Sequence, residues 1–269
     1  MKLSKSFVLS IFVLAVLSIY LFVTAPVPLK ENELETHTIP IQVALLILEE
    51  ENDVARNLYT QAIVGAGKKQ QIKFDEEVIA GPLPAQFMKL TATSLEQSPI
   101  QLGLFLGSDY AINKANNFEG EQRKNFQKVR ETRKPVFFYS PDAERFAYMA
   151  PDIASAKPCV SCHNDHEESP KTDWKLNDVM GAATWTYPKD KVGYKELLDM
   201  IHALRTGFEY SYQAFLEEVS LMANPPVIGE NWPRDGRYVP SAQVFMDELT
   251  SKSSNLSLKT LLLTTKAST

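Results

Sequence analysis

The stretch Cys159-Val160-Ser161-Cys162-His163 constrains this chain more than any other, because it holds both of the 2 cysteines in its 269 residues. Cys-x-x-Cys-His reads as an attachment site for covalent haem. Each sulfur can add to one haem vinyl group as a thioether, and the two-residue spacer places both sulfurs along one porphyrin edge. The residue that follows then brings an imidazole to the iron, which makes His163 the natural proximal ligand. With both thiols used, none remains for a disulfide or a four-cysteine zinc site. Two other chemistries compete. A redox dithiol of the thioredoxin kind belongs in a βαβ context, which the surrounding pattern lacks. A zinc site needs a further ligand pair: His166 offers a third ligand, and nothing nearby offers an obvious fourth.

The N-terminus bears on the compartment. Lys2 and Lys5 precede an apolar run from Phe7 to Val23, at the short end of the ~17–25 residues that span a bilayer. A cleaved signal peptide and an uncleaved signal anchor both fit residues 1–25. The following Thr24-Ala25-Pro26-Val27-Pro28 lacks a clean small-x-small cleavage site, which favours the anchor. The lysines then lie on the cytoplasmic side and the remainder is exported. Covalent haem of this kind is attached on the outer side of bacterial energy-transducing membranes, so both stretches indicate the periplasmic side of the inner membrane. The alternative is a soluble periplasmic chain after signal cleavage. A net charge of −5 and the lack of a basic cluster argue against nucleic acid as a partner.

Along the chain, residues 26–80 read as a proline-bearing linker followed by a helix. Its interrupted apolar stripe runs from Ile41 through Leu45, Leu48, Val54 and Leu58 to Ile63, and Gly65 and Gly67 end it. After the breaker Gly81-Pro82-Leu83-Pro84, a short helix is expected over 85–96. A half-buried strand follows, with Ile100, Leu102, Leu104 and Leu106 on one face. A helix over 116–133 should cover a sheet through Phe118, Phe126 and Val129. A hairpin follows, with arms 135–139 and 145–149 around Ser140-Pro141-Asp142. The motif falls in an exposed loop, 151–174. A last strand, 178–187, puts Val179, Gly181, Ala183, Trp185 and Tyr187 on one side, its small residues allowing close approach by a porphyrin or a helix. Residues 189–224 form one long amphipathic helix with a seam of Leu197, Ile201, Leu204, Phe208, Tyr212, Phe215, Val219 and Met222. That seam packs on its own domain or makes a coiled-coil homodimer. The tail, 225–269, carries a short helix near 243–249 and a poorly ordered end. The whole is an α+β domain around one antiparallel sheet.

Residues 81–188 resemble a family of periplasmic single-haem c domains with a PAS-like fold, found alone or ahead of histidine kinases, cyclases and chemotaxis receptors. The resemblance is carried by Cys159-Val160-Ser161-Cys162-His163-Asn164-Asp165-His166, by Ser169-Pro170-Lys171-Thr172-Asp173-Trp174-Lys175 and by Asp178-Val179-Met180-Gly181. Leu83-Pro84-Ala85 and Asn117-Phe118-Glu119 match more loosely. It implies a PAS-like antiparallel sheet flanked by helices, one haem c, and sensing of redox state or a small gas. The chain departs from the family where Val179-Met180-Gly181 replaces a segment that often holds arginine. A helix and tail also stand where transducers continue into a second span and an output domain.

The iron's sixth position separates sensor from electron carrier. His166 is too close in sequence to His163, because three residues reach at most ~10 Å and the chain would have to round the macrocycle. Cysteine ligation, known in some relatives, is precluded by the use of both thiols. Met88 is placed first, because in some relatives a methionine from a helix well before the motif fills this role. Met149, Met180, His202 and His37 follow, and an empty or water-filled position is also considered. Trp174 is expected to pack on the haem, with Tyr148 and Trp185 as further candidates; Arg145, Lys157 and Lys171 are candidate propionate partners. No nucleophile–base pair, phosphate loop, carboxylate dyad or distal His/Arg pair points to an enzyme. The expected function is a membrane-anchored monohaem c-type sensor that relays to a redox or signalling partner; the alternative is a small electron-carrying cytochrome.

Overall fold

A computed structural model describes residues 5–24, 38–64, 84–233 and 238–266. The chain divides into two compact units, Met1–Thr36 and His37–Thr269. The first contains helix α1, Lys5–Thr24, 20 residues over the apolar run. The run therefore folds as the helix its composition favours. Among the described residues no helix is long and apolar enough to cross a membrane, so the anchor reading rests on the sequence. The segment after Thr24 and the glycine-rich breakers at 65–67 and 81–83 lie outside the described residues, as does His37.

The second unit is a mixed α+β fold. Strand β1 (Thr38–Pro40) leads into α2 (Ile41–Leu58), which runs on through a π-helical turn, Tyr59–Val64. Then come α3 (Pro84–Glu96), β2 (Gly103–Gly107), α4 (Gly120–Thr132), β3 (Val136–Ser140), β4 (Arg145–Ile153), α5 (Lys157–Asp165) and β5 (Val179–Tyr187). The chain ends with β6 (Lys191–Gly193), α6 (Tyr194–Ser220), β7 (Val227–Gly229), β8 (Tyr238–Pro240) and α7 (Ala242–Lys266). The central sheet is antiparallel, in the order β2-β5-β4-β3. Strands β1 and β6 pair separately, as do β7 and β8, the latter in parallel.

Alternation along the strands gives the sheet two different faces. Leu104, Tyr148, Ala150, Ala183, Trp185 and Tyr187 belong to the main core with α2, α3, α6 and α7. Met149, Ala182 and Val179 lie with Phe126 and Val129 of α4, as the helical spacing predicts, and with Phe118, which belongs to the segment before α4 and not to the helix expected from 116. The expectation that Val179 shares a face with Trp185 is corrected here. Asp152 pairs with Gly181 but Ile153 pairs with Val179, leaving Met180 as an extra residue. Such a bulge reverses which face the following side chains occupy.

The seam of α6 is absorbed by its own domain: Leu197, Leu204, Phe208, Tyr212, Phe215 and Val219 are all buried in the main core. Gly207 lets α6 come close to α3, since a Cβ there would stand 3.1 Å from Thr91. Thr91 and Ser211 hydroxyls meet across that crossing at 2.9 Å. The tail also differs from expectation. Instead of a short helix and a loose end, α7 runs for 25 residues. It buries Phe245 and Leu249 in the main core, Phe245 stacking on Tyr212 of α6 at 4.1 Å and meeting Phe87 of α3 edge-on, and it docks on α2 where Ser257 donates to Glu51 at 3.0 Å. Its serines and threonines are consistent with a linker by composition, but three of them, Ser253, Ser257 and Thr260, are buried against α2 and α6.

Candidate functional site

The motif lies on a short helix rather than in a loop. Strand β4 runs on to Ile153, and α5 begins at Lys157 with Ala156 extended before it and proline in its first turn, a position where proline's missing N–H costs nothing. The Cys159 amide donates to the Ala156 carbonyl at 3.1 Å, and the His166 amide closes the helix on the Cys162 carbonyl at 3.0 Å. Residues three and four apart share a helical face, so Cys159, Cys162 and His163 point to one side of α5. Both thiols are free and half-buried.

His163 is half-buried, and its Nδ1 is buried without a hydrogen-bond partner. Burial lowers its proton affinity; the charge of Asp152 opposes this and that of His166 adds to it. The ring is thus biased towards the neutral form that metal ligation needs.

Trp174, Met180 and Ala154 form a small buried cluster with Cys159 and Val160 against it. Asn164, the residue after His163, ties Trp174 to the motif helix. Its Nδ2 donates to the Trp174 carbonyl at 3.1 Å, and its Oδ1 accepts from the Trp174 amide at 2.9 Å. Lys171 Nζ lies 4.7 Å from the indole centroid and pairs with Asp173. Tyr110 meets the indole edge-on at 5.9 Å. The indole Nε1 is buried without a partner. The strand beneath is held by Ala154 donating to the Asp178 carbonyl at 2.9 Å and Asn177 donating to the Ala154 carbonyl at 3.0 Å. Ser108 donates to the carbonyl of bulged Met180.

Gly181 has a different use from the one its size suggests. A Cβ there would lie 2.5 Å from the Gly107 carbonyl oxygen, so the close approach it allows is by the backbone of β2. Ala183 is ordinary core.

The structure thus brings Cys159, Trp174 and Met180 into one cluster, with Cys162 and His163 on the same short helix. It places Met88, on α3, in the main core, and Met149 on the α4 face of the sheet. His202 is exposed on α6, and His166 is exposed with its Nδ1 accepting from the Glu168 amide at 3.2 Å. Tyr148 and Trp185 face α2, and Arg145 donates to the Gln101 carbonyl at 2.7 Å. Lys171 is the basic candidate found against Trp174. Sequence reasoning gave no role to Asn164 or to the polar side of α2. Arg56 of that helix forms an ion pair with Asp152, at the end of β4 that leads into the motif.

Two free thiols and a neutral-biased imidazole on one helix face, beside apolar side chains, fit a covalently bound haem. The other chemistries fit less well. Strands β4 and β5, on either side of α5, are antiparallel neighbours, which is not the βαβ setting of a redox dithiol. Among the described residues no three His, Cys, Asp or Glu side chains gather as a metal-ion site. Comparison with curated proteins finds no match, and neither does comparison with solved structures. Residues 109–188, from the end of β2 through the motif helix to the end of β5, match the family model of Tll0287-like domains.

Proposed function

We propose that the chain carries one haem c through Cys159 and Cys162, with His163 as proximal ligand, and acts as a sensor of redox state or a small gas. The observation that carries this reading is the shared face of the two thiols and the unpartnered imidazole on α5. The matching family, one of haem c-binding, sensor-like domains, supports it. The antiparallel sheet with flanking helices supports the PAS-like likeness. When bound, haem supplies a one-electron iron couple and an axial position for a small ligand. The protein's residues do the rest: Asn164 fixes Trp174, and Trp174, Met180 and Ala154 offer an apolar wall that excludes water. The apolar run of α1, with lysines before it, supports export and N-terminal anchoring on the periplasmic side of a bacterial inner membrane. Relay to a redox or signalling protein belongs to the same proposal.

A second reading, a small electron-carrying cytochrome, is favoured by one observation. Met180 lies in the motif cluster, and a methionine opposite a histidine raises the potential and suits electron transfer. Spectra of the reduced protein with and without carbon monoxide separate the two. Rapid binding supports the sensor. A fixed low-spin spectrum that carbon monoxide leaves unchanged supports the carrier, and a spectral change in Met180→Ala or Met88→Ala identifies the ligand. A Cys159→Ala/Cys162→Ala variant that keeps a covalently held chromophore would overturn both readings.

A further inference from the structure

Helix α2 lays a polar strip against the sheet near the motif, in a place where apolar side chains would be the rule. Glu49 is 6% exposed and Asn52 fully buried. The Trp185 indole N–H donates to Glu49 Oε2, and Asn52 Nδ2 donates to the same oxygen at 3.2 Å. Asn52 Oδ1 is buried with no partner. One turn further, Arg56 is paired with Asp152 of β4, and the charge of Asp152 is felt at His163.

From this geometry we infer that Glu49 exchanges a proton with solvent in step with the oxidation state of the haem iron; the inference rests on the haem reading above. Burial, and after it the charge of Asp53, raises the Glu49 carboxyl to about 8, while Trp185, Arg56 and Asn52 favour the ionised form. Both protonation states find a partner. The ionised carboxylate accepts from the Asn52 amide nitrogen. A half-turn of that amide brings the unpartnered Oδ1 to the same oxygen as acceptor for a protonated carboxyl.

Three further carboxyls lie on α2. Glu51 is paired with Arg205 of α6 at 2.7 Å, with Ser257 of α7 donating to it at 3.0 Å. Glu50 accepts from Thr260 of α7 at 2.8 Å, with Lys259 nearby. Asp53 is exposed at the surface, yet burial of its carboxyl raises it, with Arg56 opposing and Asp152 adding to the rise; Tyr148 of β4 is held neutral, its hydroxyl raised by burial and then by Glu49, Glu50 and Asp53. Of the carboxyls on α2, Glu49 is the one buried against β5 with no ion-pair partner among the described residues. When one electron arrives at the iron from an external one-electron donor, the Glu49 carboxyl binds its proton more tightly, and part of the ionised population takes a proton from bulk water and becomes the neutral acid. When the electron leaves, the proton returns to water.

The test is a potentiometric titration of the haem-loaded protein across the pH range in which Glu49 ionises, alongside Trp185 fluorescence of the haem-free chain. The potential is expected to fall as pH rises, reflecting about a tenfold higher proton affinity in the reduced state, equivalent to ~59 mV between the two plateaus. Glu49→Gln should flatten that curve and remove the matching fluorescence step. Glu49→Asp, which keeps a carboxyl should the Gln variant fail to fold, should move both midpoints together. A haem-loaded protein whose potential is flat with pH, or whose slope survives in Glu49→Gln, overturns the inference and leaves the haem reading intact. A chain that takes up no haem overturns both, even if the fluorescence step is present.

Discussion

At the scale of single residues, the motif was the most legible part of the sequence, because two thiols and an imidazole at fixed spacing are rare by chance and need no tertiary information. Its supports were not legible. Asn164 is an ordinary polar residue until the fold brings it against the backbone of Trp174, 10 positions away. Asn164→Ala removes both hydrogen bonds and leaves the Trp174 amide and carbonyl short of partners. The expected cost is about 1–3 kcal/mol, read as a lowered thermal midpoint with the haem still attached.

Glu49 makes a second prediction, on the pH dependence of stability. Its folded carboxyl is raised from the ordinary 4.5 to about 8, burial being the main cause. A carboxyl raised in the folded state contributes fully below its unfolded value, and that contribution is lost as pH climbs through the folded value. Stability should therefore decline from about pH 4.5 to about pH 8, by an amount on the order of a few kcal/mol. Glu49→Gln, neutral throughout, should lack this decline when urea midpoints are compared across that range.

At the scale of elements, helices and strands with clear apolar periodicity formed where the pattern placed them. Helix α4 covers the sheet through Phe126 and Val129, with Phe118 just before its first turn beside them, and Leu104 of β2, like Leu102 just ahead of it, lies in the main core. The misplacements have identifiable causes. The residues of α5 carry too little apolar pattern to mark a helix, and a proline in its first turn reads as loop. The bulge at Met180 adds one residue to β5, and strict alternation cannot register that. Helix α7 was hidden by serines and threonines that find partners only once α2 and α6 are in place. Gly181→Ala tests the close strand approach. With the Gly107 carbonyl only 2.5 Å from the added carbon, β2 and β5 must separate, at an expected cost of about 1–3 kcal/mol. Circular dichroism melts should show a drop of several degrees, whereas an Ala183→Gly change tests only ordinary core packing.

At the scale of the whole molecule, the unit His37–Thr269 is built by helices from both of its ends closing over one sheet. Helix α2 comes before the matched region and α6 and α7 after it, yet all three share one core with β4 and β5. A change at the motif thus has packed neighbours through which to reach distant surfaces, and the ion pair of Arg56 with Asp152 is the polar link nearest the motif. The α+β class was readable from the order of the elements; the joining of the tail to α2 was not, because it depends on contacts some 200 residues apart. The central claim, a haem held by two thioether bonds to α5, is tested most directly by denaturing the protein, purified after export with haem maturation, and separating it by size. The account predicts that the red chromophore travels with the polypeptide, and a chromophore that separates from the chain, or never joined it, would contradict it.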